Sequence, residues 1–253
     1  MPGLGVAGYA VAKRGYSTHG ARIVHFELRS HDVGRTLGEI AVIPRGASAG
    51  QRRPLLVLLH WRGGRPDSLV SNELFAALAK LGSHAPIVLL PNGSGGSFFH
   101  DRRDGSWASY VVDEAIPAAL RRFHADPSRI AIGGTSMGGF GALDIARLWP
   151  DRFCAVGAHS PAIFSSGTER MAGSFDSMED FAEHDLPALR PSYGRTPVWI
   201  DVATQDRFRA ADVRFARELG VTPHVWPGKH GSRYWRSHMA DYLRFYADAL
   251  AGC

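Results

Sequence analysis

The sequence predicts an α/β protein, a mostly parallel sheet of eight strands with helices on both faces. Three observations lead there. Strand-length apolar runs alternate with helix-length segments through most of the chain, the pattern of strands joined by crossover helices. Pro54–His60 and Pro86–Pro91 are apolar throughout, as strands covered on both faces are. A third run, Ile130-Ala131-Ile132-Gly133-Gly134, passes through Thr135-Ser136-Met137-Gly138-Gly139 directly into helical spacing at Ala142, Leu143, Ile145, Ala146 and Leu148. Strand, sharp turn and helix follow one another there with no loop between.

In chain order, residues 1–20 read as an arm ahead of a single domain over 21–253. Arg22 to Arg29 alternates as a half-buried strand does, and Thr36 to Ile43 is a second such strand, ended by Pro44. The apolar strand to His60 leads into Trp61-Arg62-Gly63-Gly64, then a helix from Leu69 to Leu81 behind a cap at Asp67 or Ser68. Asn92 to Gly105 is a long glycine-rich loop, and Trp107 to His124 has helical period with a kink or break expected at Pro117. Phe153 to His159, Pro197 to Ala203 and Thr222 to Trp226 read as strands. Phe208 to Leu219 and Ser232 to Leu250 read as helices. The stretch 160–192 lacks a clean period and reads as a cap-like excursion over the sheet edge, small beside a full lid.

At 253 residues with 45% hydrophobic content, the chain has enough apolar material for a sizeable core. The net charge of +5 comes from arginines scattered along the chain, whereas a nucleic-acid surface gathers them into a patch, so no nucleic-acid partner is expected. No run approaches the ~20 apolar residues that cross a bilayer. The start, Met1 to Ala12, lacks a basic residue ahead of its apolar part and makes a poor signal peptide, which points to the cytoplasm for a complete chain and to secretion if a leader is missing. Cys154 and Cys253 fit no zinc pattern; a disulfide and two free thiols both remain open. Oligomeric state is not legible.

Gly134-Thr135-Ser136-Met137-Gly138 fits G-x-S-x-G, which holds a serine at the tip of a strained strand-to-helix turn. A serine hydroxyl is a weak nucleophile near neutral pH and needs a base, itself oriented by a third group. In this arrangement an acid and then a histidine follow the serine in the chain. Asp206 lies just past the strand ending at Ala203, at the sheet edge where open α/β sheets bind ligands. Its rival Asp201 is inside the strand, and Asp212 is helical. His230 sits in the loop between the last strand and the terminal helix, where an imidazole reaches back over the serine. The oxyanion donors would be the backbone N–H groups of Met137 and Arg62. Trp61 and His159 are placed in the substrate pocket; His60, which ends a strand on the same sheet edge as His159, reads as pocket wall or loop support, and His238 as structural. The aromatics Phe98, Phe99, Trp107 and Phe164 are divided between pocket and core.

With these residues identified, the chain resembles the esterase D / putative esterase family of α/β-hydrolases, a group that includes feruloyl esterases, S-formylglutathione hydrolase and mycolyltransferases. The resemblance runs from about residue 52 to 248. It is carried by Leu58-Leu59-His60 with Gly63-Gly64, Trp107 to Val112, Ile116-Pro117, Ser136-Met137-Gly138-Gly139-Phe140-Gly141-Ala142-Leu143, and His230 with Trp235-Arg236-Ser237-His238. Three positions depart from the family's usual pattern: Trp61 where His-Gly is common, Ala203 in the G-x-x-D acid site, and Lys229 in the Gly-Gly-His ending. The resemblance implies an α/β-hydrolase fold and a serine hydrolase cleaving a small-molecule carboxylic ester through an acyl-enzyme on Ser136, with no cofactor and no metal. Acyl transfer of the mycolyltransferase type, or binding without catalysis, are the alternative readings.

Overall fold

The computed structural model describes residues 15–46 and 52–253. Most of the arm expected at 1–20 lies outside them. Its described end rests on the first helix, where Tyr16 packs against Phe75 and the Ser17 N–H donates to Asn72 Oδ1 at 2.9 Å.

The elements in order are β1 (Arg22–Arg29), β2 (Thr36–Ile43), β3 (Leu55–Leu59), α1 (Asn72–Leu81), β4 (Ile87–Leu90), the two-residue strands β5 (Asp101–Arg102) and β6 (Gly105–Ser106), and α2 (Trp107–Ser109). A π-helical segment over Tyr110–Ala115 joins α2 to α3 (Ile116–Phe123). Then come β7 (Ile130–Thr135), α4 (Met137–Leu148), β8 (Val156–His159), α5 (Met178–Glu183), α6 (Leu186–Leu189), β9 (Val198–Ala203), α7 (Arg209–Glu218), β10 (His224–Trp226), α8 (Ser232–Ser237) and α9 (Met239–Ala251).

Eight strands form one sheet in the order β1-β2-β4-β3-β7-β8-β9-β10. Only β2 runs against its neighbours; from β4 to β10 every pairing is parallel. This is the α/β-hydrolase arrangement. The central strands β3, β4, β7 and β8 are buried at every residue, which is why their sequences do not alternate. Helices α3, α4 and α7 contribute Ile116, Phe140, Leu143 and Phe215 to the core on one face. Helices α1 and α9 contribute Leu74, Phe75, Leu243 and Tyr246 to the core on the other.

Two local outcomes have simple causes. The helix ahead of Pro117 widens to π register and restarts at Ile116, so Pro117 falls in a first turn where its missing N–H costs nothing. The terminal helix breaks at His238 into α8 and α9. Cys154 and Cys253 are joined by a disulfide that closes a separation of 99 residues and ties the end of α9 to the segment entering β8.

Candidate active site

Ser136 stands between β7 and α4 with φ 54° and ψ −115°, a backbone conformation that a side chain rarely tolerates. The neighbouring glycines make the turn feasible. A Cβ on Gly138 would collide with the backbone of Leu59 and His60, and one on Gly134 with the backbone of Gly138. Without those side chains α4 starts against the ends of β3 and β7, and the turn is pinned by Ser136 N–H to His159 O at 3.0 Å.

The Ser136 hydroxyl donates to His230 Nε2 at 2.9 Å, and His230 Nδ1–H donates to Asp206 Oδ2 at 2.7 Å. The other Asp206 oxygen accepts the Phe208 N–H at 2.9 Å. The Asp206 side chain is fully buried while the His230 ring is 25% exposed, so one end of the array is fixed and the other faces the surface. Phe208 and Trp235 both meet the His230 ring edge-on and hold its plane. The three residues predicted from sequence for the serine, acid and base positions are thus brought into one hydrogen-bonded chain, and Asp201 and Asp212 lie outside it.

Met137 opens α4, so its N–H is among the first-turn donors that no helical carbonyl can take. Arg62 follows β3 in the loop held by Gly63 N–H to Gly95 O and Gly64 N–H to Trp61 O, each at 2.9 Å. His60 supports that loop from below. Its Nδ1–H donates to Trp61 O at 2.9 Å and its Nε2 accepts the Gly93 N–H at 3.0 Å. Burial pushes the His60 imidazole down to about 4, which keeps it neutral and able to accept.

Ser136 and His230 open into a cleft of about 350 Å³ that is also lined by Trp61, Arg62, Met171, Arg207 and Trp235. Trp61 is therefore on the cleft, packed at 5.2 Å against Trp235. His159 is not. It is 2% exposed, its Nδ1–H donates to Asp201 Oδ2 at 2.7 Å, its Nε2 accepts the Tyr246 hydroxyl at 2.9 Å, and its ring stacks on Tyr242. The expectation that placed it in the pocket is corrected: the end of β8 reaches the sheet edge, but this side chain turns toward α9. Asp201 is the hub of that network and also accepts from Tyr234, Tyr242 and Trp199, each at 2.9 Å. Phe98, Phe99, Trp107 and Phe164 are all core. No motif marks Met171 or Arg207 in the sequence; the one signal for Arg207 is its position directly after Asp206.

The family model described as "Putative esterase" matches residues 30–246. The chain belongs to this esterase family. Among curated proteins, this member is 29% identical over 178 residues to the S-formylglutathione hydrolase of Paracoccus denitrificans (strain Pd 1222), covering 62% of this chain and 64% of that one. It is 28% identical over 155 residues to the iron(III) enterobactin esterase of Dickeya dadantii (strain 3937), covering 56% and 35%. The match thus spans less than two thirds of either relative. Among solved structures, a ferulic acid esterase superposes with a TM-score of 0.78 at 20% identity over 90% of this chain and 98% of that one, a likeness of fold.

Proposed function

We propose that this chain is a serine hydrolase of small-molecule carboxylic esters, and that its fold from residue 21 onward works as one domain. The observation that carries the reading is the continuous Ser136–His230–Asp206 hydrogen-bond chain opening onto the cleft. Ser136 Oγ attacks the acyl carbon as its proton passes to His230 Nε2. Asp206 keeps the His230 tautomer and stabilises the imidazolium that forms. The developing oxyanion is received by the N–H groups of Met137 and Arg62. Collapse of the tetrahedral intermediate expels the leaving group with the proton from His230. Water then repeats the sequence and frees the acid. No step in this scheme calls on a metal or an organic cofactor.

The names of the two curated relatives, a hydrolase and an esterase, support the same type of reaction. Hydrolysis is favoured over acyl transfer because the cleft is flanked by the exposed residues Arg62 and Arg207, which leave the acyl-enzyme within reach of water. The test is Ser136→Ala with a short p-nitrophenyl ester. Turnover is expected to vanish while the circular dichroism spectrum stays as in the wild type; turnover retained at the wild-type rate refutes the mechanism.

A further inference from the structure

Outside the lining of the Ser136 cleft, His100, Asp180 and His184 converge beside Phe175. His100 comes from the loop after β4. Asp180 and His184 sit one turn apart on α5 and its C-cap, so both face the same way. One ligand-capable atom from each lies within 4.8 Å of the other two. The His100 side chain is fully buried, His184 is 9% exposed and Asp180 15%.

The spacing within this cluster differs from every other histidine–aspartate pair in the core. His159–Asp201, His184–Asp144 and His230–Asp206 are all at 2.7 Å, the length of a charge-assisted hydrogen bond. In contrast, Asp180 Oδ2 stands 3.3 Å from His100 Nε2 and Asp180 Oδ1 3.7 Å from His184 Nε2. Two ligands each ~2.0–2.1 Å from a tetrahedral ion are ~3.3–3.4 Å apart. The His100–Asp180 separation equals that ligand-to-ligand spacing and the His184–Asp180 separation is a few tenths of an ångström wider, both longer than the short pairs elsewhere in the core.

The outer contact of His184 fits as well. His184 Nδ1–H donates to Asp144 Oδ2 at 2.7 Å, which fixes the tautomer that turns the Nε2 lone pair toward Asp180. Asp144 is fully buried and is held in turn by Arg147 Nε at 2.7 Å. On His100, Nδ1 is buried without a partner, so what Nε2 faces decides the tautomer. A carboxylate alone puts the proton on Nε2, and an ion moves it to Nδ1.

We propose that His100, Asp180 and His184 form a structural site for a divalent first-row ion, with zinc the best match to two imidazoles and one carboxylate at this spacing. Water reaching the partly exposed Asp180 side would complete four-coordination. The ion would clamp α5, and with it the excursion that supplies Met171 to the cleft, onto the loop after β4. The site is separate from the proposed ester chemistry and does not depend on it.

The experiment uses the full chain without an affinity tag. After dialysis with zinc chloride and then against metal-free buffer, elemental analysis is expected to find about one zinc per chain, with a higher melting temperature that magnesium does not reproduce. Cobalt substitution is expected to give visible d–d bands of a four-coordinate nitrogen/oxygen site. Asp180→Asn and His184→Gln are each expected to abolish the bands and the zinc-dependent rise in melting temperature. No retained zinc and no cobalt bands in the wild type would overturn the proposal. So would undiminished zinc binding by either variant when folded, since the ion would then sit elsewhere. Because the wild-type cobalt spectrum needs no substitution, a variant that fails to fold does not spare the idea.

Discussion

Arg62 and Arg207 both grip the Met171–Ala172 step of the excursion. Arg62 Nη2 donates to Ala172 O at 2.8 Å, and Arg207 Nη2 lies 3.0 Å from Met171 Sδ. Each contact uses one of five guanidinium N–H groups, and both arginines line the cleft over Ser136, which no carboxylate lines among the described residues. If the ester of the proposed reaction carries an anionic group, the remaining N–H groups are placed to meet it. Arg207→Ala is expected to raise KM roughly fivefold to tenfold for esters with a carboxylate in the leaving group, the ~1 kcal/mol of an exposed charge contact. KM for neutral esters of the same length is expected to stay put. Equal KM changes for both series would show that Arg207 serves only the excursion.

Asp206 acts, in the proposed mechanism, through the tautomer of His230. Asp206→Asn keeps the size of the side chain but removes the charge that accepts Nδ1–H. A fall in kcat of about 10⁴ is expected, against little change in melting temperature. Ester turnover assayed beside thermal denaturation checks both. A loss in kcat below tenfold would assign Asp206 a capping role at Phe208 N–H instead.

The disulfide closes a loop of 99 residues in sequence, so its removal frees the unfolded chain and the end of α9 together. Cys253→Ser is expected to cost about 2–4 kcal/mol. Denaturant unfolding of wild type and variant, with and without reductant, measures this. The reductant should lower wild-type stability to that of the variant and leave the variant unchanged. Pairings of this kind persist in oxidising compartments.

Two buried titratable groups hold adjacent N–H groups of the loop after β4, and they oppose each other in pH. His60 accepts from Gly93 and is pushed down to about 4, while Glu39 accepts from Asn92 and, mainly through burial, is pushed up to about 7. The His60 contribution is whole above its unfolded value near 6.5 and is lost as pH falls toward 4. The Glu39 contribution is whole below 4.5 and is lost as pH rises through about 7. Glu39→Gln offers a carbonyl to Asn92 and an amide N–H to Tyr110 without the titration. Its stability relative to wild type is therefore expected to climb by about 3 kcal/mol between pH 4.5 and 7 and then level off. Urea unfolding across that range checks the slope; a constant difference would mean that Glu39 ionises normally.

Tyr246 donates to His159 from a slot that Gly133 and Gly157 leave on adjacent strands, where any Cβ would strike its hydroxyl. Tyr246→Phe strands a buried acceptor on His159 and is expected to cost about 1–3 kcal/mol of stability. Ester turnover should stay near wild type, because His159 faces α9 and not the cleft. A large loss of kcat in the folded variant would return His159 to the substrate pocket.

Much of this was legible from residues in order. Continuous apolar runs at Pro54–His60 and Pro86–Pro91 announced strands covered on both faces, because nothing polar could be accommodated on either side. The elbow at Ser136 was legible because close backbone approach admits only glycine at Gly134 and Gly138, a demand written directly into the sequence. Asp206 and His230 followed from chain order and from their places after strands. Facing direction was not legible. His159 and His60 both end strands at the same sheet edge, yet one turns under α9 and the other under a loop, a choice made by which neighbour offers a partner. The pairing of Cys154 with Cys253, the meeting of His100 with Asp180 and His184, and the two arginines over the cleft belong to the tertiary structure alone. Each depends on segments 36 to 110 residues apart arriving within a few ångströms, and local periodicity carries no information about that distance.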